Sequence, residues 1–108
     1  MTREERISAL GNLLAKDPKD SFSRYALAVE YEALGEKNKA IEELRQVLVH
    51  DASYVAAYRL LGKIHAGLNK TKEAKEYYRK GIELAEKLND THVREEMEEE
   101  LEDIEDEW

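Results

Sequence analysis

Cysteine is absent from this chain of 108 residues, which excludes disulfides, thiolate nucleophiles and cysteine-based zinc sites and leaves the redox compartment open. Proline occurs once, at Pro18, and glycine only five times, so little interrupts helix formation. The N-terminal Met1-Thr2-Arg3-Glu4-Glu5-Arg6 lacks the apolar run of a signal peptide, and no window approaches the length of a membrane span. Lys and Arg are missing from residues 95–108, which hold only acidic and apolar residues, and this tail supplies more than the whole formal net charge of −8. An acidic protein repels phosphate backbones, so nucleic-acid binding is disfavoured and a soluble cytoplasmic protein is the expectation. No nucleophile–base pair, phosphate loop or paired-carboxylate pocket stands out, so no catalytic residue and no cofactor is assigned.

What is present is a period. Residues 21–54 and 55–88 repeat at an offset of 34 residues, matching Leu27 with Leu61, Leu34 with Leu68, Ala40 with Ala74, Glu42 with Glu76 and Arg45 with Arg79. The offset also works upstream, where Ile7, Leu10, Leu14 and Asp17 match Ile41, Leu44, Leu48 and Asp51. A fixed period of this size indicates a stack of helix pairs. The division that follows is a single domain, with a leading half-repeat at 1–20, repeats at 21–54 and 55–88, and an acidic capping helix at 89–108.

Taken in order, the first helix places Ile7, Leu10, Leu13 and Leu14 on one face and is stopped by Asp17-Pro18. Asp20 or Ser21 caps the second, which ends at Gly35. That second helix is apolar on two faces, with Leu27, Tyr31 and Leu34 (beside Arg24) on one and Phe22, Tyr25, Ala26, Val29 and Ala33 on the other. A surface helix ordinarily buries one stripe, so the second face is either covered by another layer or exposed for contact. The third helix turns Ala40, Ile41, Leu44, Val47 and Leu48 inward. Ser53 and Thr71 are the expected caps of the fourth and fifth, and Asn69 takes the left-handed position that Gly35 takes in the first pair. Gly81, in mid-helix, marks the close approach of a neighbour. The last helix, from about Thr91, carries a narrow stripe of Val93, Met97, Leu101, Ile104 and Trp108, and its final turns are expected to fray.

This pattern resembles the tetratricopeptide repeat. The second unit supplies Tyr58, Leu61-Gly62, Ala74 and Tyr78, the first supplies Leu27-Ala28, Tyr31, Gly35, Ala40 and Leu44, and Pro18 falls where a consensus proline closes a unit. Arg24 stands for a bulky aromatic, His65 for tyrosine, Gly81 for alanine, and Ala52 and Glu86 for proline. The resemblance implies an all-α fold, a right-handed superhelical stack of antiparallel helix pairs, about six helices with the last as a cap. A third repeat-type helix at the C-terminus would turn Glu95, Glu99 and Glu102 inward, which the cost of burying charge forbids, so the last helix must be rotated.

The resemblance also implies a concave groove lined by the first helix of each pair, where an extended peptide or a partner's helix binds. On this chain the groove residues are Phe22, Tyr25 and Val29 in the first pair, apolar, and Arg59 and Lys63 in the second, four residues apart and able to grip a carboxylate. Those two resemble half of a carboxylate clamp whose other half is replaced by Tyr25 and Val29. The expected function is a non-enzymatic adaptor that binds a protein or peptide, monomeric or weakly dimeric, with a self-associating assembly module as the alternative. His92 and Glu96, four apart on the exposed last helix, make a poor metal site, and none is assigned.

Overall fold

The computed structural model describes residues 1–105, among which there are six helices and no strand: α1 (Arg3–Lys16), α2 (Ser21–Ala33), α3 (Lys37–His50), α4 (Val55–Gly67), α5 (Thr71–Lys87) and α6 (Thr91–Glu105). No helix among them is long and apolar enough to cross a membrane. The expectations for Trp108 and for fraying of the last turn fall on or run into positions outside the described residues. The chain packs as two compact units, Met1–Ala57 and the part from Tyr58 onward.

The first unit is held by Leu14, Leu27, Ala28, Ala40, Ile41, Leu44 and Val47, all buried. Thr2 begins α1 with a capping box: its hydroxyl accepts from the Glu5 amide at 3.1 Å, and its own amide donates to the Glu5 carboxylate at 3.0 Å. Two arginines of α1 converge on one carboxylate of α2, Arg3 at 2.6 Å and Arg6 at 2.8 Å from Glu30. The hydrogen bond from Arg6 holds the Glu30 carboxyl below its ordinary range. Asp20 caps α2, its carboxylate accepting from both the amide and the hydroxyl of the buried Ser23. Arg24, in the slot where an aromatic was expected, pairs with Glu43 of α3 at 2.7 Å and donates to the Pro18 carbonyl at 2.9 Å. Leu13 and Leu34 do not join the core: each is about half exposed, Leu13 because its neighbour Leu14 takes the inward position, Leu34 because it is the C-cap rather than a helical residue.

Turn chemistry distinguishes two kinds of connection. After α1 and α3 the chain leaves through Asp17 and Asp51, whose carboxylates accept from the amides of Lys19 at 3.2 Å and Ser53 at 3.1 Å, and the next helix starts four residues on. Ser53 is therefore part of this turn and not the cap of α4, which starts after Tyr54. After α2 and α4 the chain reverses in three residues through a left-handed position, Gly35 with φ 80° and Asn69 with φ 61°. The amide three residues beyond the helix reaches back to the last turn, Glu36 to the Tyr31 carbonyl and Lys70 to the His65 carbonyl, both at 2.9 Å. Thr71 is consequently the first helical residue of α5 and caps nothing; the cap position belongs to Lys70, whose side chain makes no capping bond.

In the second unit Leu61, Ile64, Ala74, Tyr78, Ala85 and Met97 are buried. Gly62 and Gly81 are the points of closest approach. A Cβ at Gly62 would lie 2.7 Å from the Tyr78 ring, and one at Gly81 would lie 2.7 Å from Met97 Sδ and 3.0 Å from Tyr58 Cβ. Gly81 thus admits the single fully buried side chain described on α6, as its position in mid-helix suggested. His65 fills the tyrosine slot between helices, with Nδ1 2.8 Å from the Leu61 carbonyl oxygen and its ring 5.0 Å from that of Tyr77.

Candidate functional site

On α2 the five positions of the second apolar face divide by exposure. Phe22 is 74% exposed and Val29, seven residues or two turns on, is 40% exposed. Between them Tyr25 is half-buried, its ring tilted against that of Tyr54 at 5.2 Å between centroids. Ala26, next to it, forms part of an open cleft of about 250 Å³ between α1 and α2, with Met1, Ala9 and Leu10 as apolar walls and the Arg6–Glu30 pair at its edge. The three apolar residues singled out in the first pair therefore share one face, anchored by an aromatic contact and extended by a cleft. The contribution of α1 to that cleft is the covering layer that the two apolar faces of α2 allowed for. Its signal was the early Arg3/Arg6 pair, which could bond Glu30 only if α1 lay alongside α2.

On α4, Arg59 and Lys63 lie one turn apart, and their environments differ. Lys63 is exposed. Arg59 is held by two carboxylates of α6. Its Nε lies 3.1 Å from both oxygens of Glu100 and its Nη2 donates to Glu100 at 2.6 Å, while Nη1 lies 2.7 Å from Glu96. All three guanidinium nitrogens are thereby engaged. Burial pushes the Glu100 carboxyl up, but the hydrogen bond and charge of Arg59, the Tyr78 hydroxyl and the charge of Lys63 outweigh it, and the group titrates below its ordinary range. The Tyr78 hydroxyl is driven the other way, by burial first and then by the nearby Glu100 charge. Charge reversal at Arg59 would set three carboxylates side by side, so it tests folding as much as binding; Lys63, exposed, acts on Glu100 only through its charge.

The acidic residues expected to reject the core do so: Glu95, Glu99 and Glu102 are exposed while Met97 turns inward. His92 lies beside Glu96, which already bonds Arg59, and the described residues contain no group of three or more potential metal ligands.

The tetratricopeptide repeat family model matches residues 23–48 and 55–88. A TPR repeat-containing protein of Pseudomonas aeruginosa is 28% identical over 91 residues, covering 84% of this chain and 87% of its own. Among solved structures, a tetratricopeptide repeat domain protein from Salinibacter ruber is 30% identical with a TM-score of 0.79, over 85% of this chain and 93% of its own. The first TPR of Spaghetti (RPAP3), solved with an HSP90 peptide, shares the fold at 24% identity and a TM-score of 0.82, over 95% of this chain and 77% of its own. The repeated turns, the glycines at helix contacts and these matches together establish that the chain belongs to the tetratricopeptide repeat family.

Proposed function

We propose that this protein is a non-enzymatic interaction module, an adaptor that takes an extended segment or helix of a partner protein. Phe22, Tyr25 and Val29 supply the apolar anchor, and the basic face of α4, Arg59 and Lys63, supplies orientation and charge complementarity. The observation that carries this reading is the exposure of Phe22, at 74%, on the same face as Val29. A large aromatic left in water on a helix whose other face is already buried contributes nothing to this fold and fits a contact surface. Membership of the repeat family supports the class, and the Spaghetti neighbour, which shares the fold, was solved with an HSP90 peptide bound.

The test is a screen of extended peptides, each with free and amidated C-termini, against the wild-type chain, Phe22→Ala and Lys63→Glu. Hits should weaken at least about tenfold in Phe22→Ala, the range of a lost interface anchor. The melting temperature should hold, since an exposed side chain away from any special contact changes stability by no more than about 0.5 kcal/mol. Peptides that bind Phe22→Ala and Lys63→Glu as tightly as wild type would remove the reading. Hits that require a free carboxylate would place the weight on α4, and hits indifferent to the terminus would place it on α2.

A further inference from the structure

We propose that Arg59 and Lys63 form a carboxylate-receiving site that the chain occupies with its own α6, so that Glu96 and Glu100 stand where the carboxylates of an acidic partner segment bind. The inference rests on the reading of the α4 face as a ligand surface and goes beyond it: the site exists in a self-occupied state and takes an acidic ligand by exchange. Three observations carry it. The first is saturation. Glu100 takes Nε and Nη2 of Arg59 at 3.1 and 2.6 Å and Glu96 takes Nη1 at 2.7 Å, the fork geometry by which a guanidinium receives a foreign carboxylate. The second is accessibility. The Arg59 side chain is 32% exposed, with Glu96 at 32% and Glu100 at 27%, so the pairs are open to water on one side and can be exchanged without opening a core.

The third is that the anchoring of α6 is separable from this pairing. Met97 is fully buried against Gly81, and Asp90 holds the start of α6 by accepting from the Val93 amide at 3.3 Å. Glu96 can therefore rotate away while the helix remains docked, and Glu100, which also accepts from the hydroxyl of buried Tyr78, exchanges only its Arg59 contacts. Lys63, exposed one turn along α4, gives an incoming acidic segment a second cation near the same place. The internal carboxylates act as a competitor at very high effective concentration, which lowers the apparent affinity of any acidic segment and leaves apolar ligands of α2 unaffected.

The probe is a fluorescein-labelled octaglutamate peptide, followed by anisotropy at about 0.15 M salt, where exposed charges are screened beyond about 8 Å. Glu96→Gln/Glu100→Gln should bind it at least about tenfold more tightly than wild type, the effect of freeing a bidentate receptor. Glu99→Gln/Glu102→Gln removes the same charge from exposed positions of α6 and should change affinity less than about twofold, as expected of screened rim charge. Adding Arg59→Gln and Lys63→Gln to the first variant should abolish the gain. Equal gains in the two glutamine pairs would reduce the effect to net charge and overturn the proposal. No gain in the first pair, with wild type binding well, would overturn self-occupation while leaving α4 as a ligand surface. No binding by any variant would overturn both, and the Phe22-dependent peptides would then still judge the apolar half. Should the double variant lose helicity, Glu96→Gln alone leaves the Glu100–Tyr78 contact in place and should show a smaller gain in the same direction; its absence counts against the proposal.

Discussion

Residue 62 is glycine because residue 78 is tyrosine. At the matching positions of the first unit, 34 residues earlier, the chain has Ala28 and Leu44, both buried; in the second the smaller residue faces the larger ring. Gly62→Ala would gain about 1 kcal/mol in helix propensity but lose about 1–3 kcal/mol to overpacking against a ring that cannot easily give. A net loss of about 1 kcal/mol is expected in urea unfolding. Gly81→Ala should cost less than Gly62→Ala, because its nearest obstacle is the flexible Met97 side chain, but not be neutral, because Tyr58 Cβ at 3.0 Å moves only with its backbone. The double variant Gly62→Ala/Tyr78→Leu, which restores the first unit's pairing, should be more stable than the sum of its single changes, and strict additivity would show that the two residues do not share one space. Asn69 and Asn89 sit at φ 61° and 58°, where a side chain with a branched Cβ is strained. Asn69→Gly should raise stability slightly, and Asn69→Val should lower it by about 1–2 kcal/mol.

Helix α6 is anchored by one buried thioether, with a shared guanidinium on its more exposed side. Met97→Ala should cost about 2–5 kcal/mol, the range for truncating a fully buried side chain, and calorimetry checks it directly. The existence of α6, its start near Thr91 and the inward position of Met97 were legible in the sequence, because charge cannot be buried and the apolar stripe is narrow. The pairing of Arg59 with Glu100 was not. The two residues are 41 positions apart, and α6 presents a run of carboxylates among which spacing alone cannot tell the docked from the solvated. The same limit applied to Ser53 and Thr71, plausible caps by residue type, which lost that role because turn geometry one or two residues away decides where a helix begins. Periodicity fixes the faces of a helix; it does not fix which polar groups meet across helices.

For the molecule as a whole, acid should be the more damaging direction of pH. The Glu30 and Glu100 carboxyls both titrate below their ordinary value of 4.5, Glu30 through the Arg6 bond and Glu100 through Arg59 against the opposing effect of burial. A folded-state value below the unfolded one gives stability that is fully present above pH 4.5 and is lost as pH falls through the folded value. Melting temperature should therefore drop below pH 4.5, and Glu100→Gln should flatten that drop. Tyr78 has the opposite sign. Its raised value gives stability that is present below its ordinary 10.0 and declines above it, so Tyr78→Phe should be the less alkali-sensitive protein. An unaltered acid profile in Glu100→Gln would place the loss in other carboxylates.

The junction between α5 and α6 repeats a device met twice before: Leu88, then Asn89 in the left-handed position, then Asp90 reaching back to the Ala85 carbonyl at 2.9 Å. It is the turn that joins α2 to α3 and α4 to α5, not the aspartate turn that follows α1 and α3. In the grammar of the chain this is a change of punctuation. The aspartate turn acts as a comma, after which a new pair begins; the left-handed turn, leucine then glycine or asparagine, delivers the second member of a pair. Used after α5, itself a second member, it puts the next helix out of phase with the 34-residue count. Duplication of a unit is therefore compatible with the chain at residue 54, just after the aspartate turn, whereas a copy spliced in after residue 88 would have no aspartate turn ahead of its first helix.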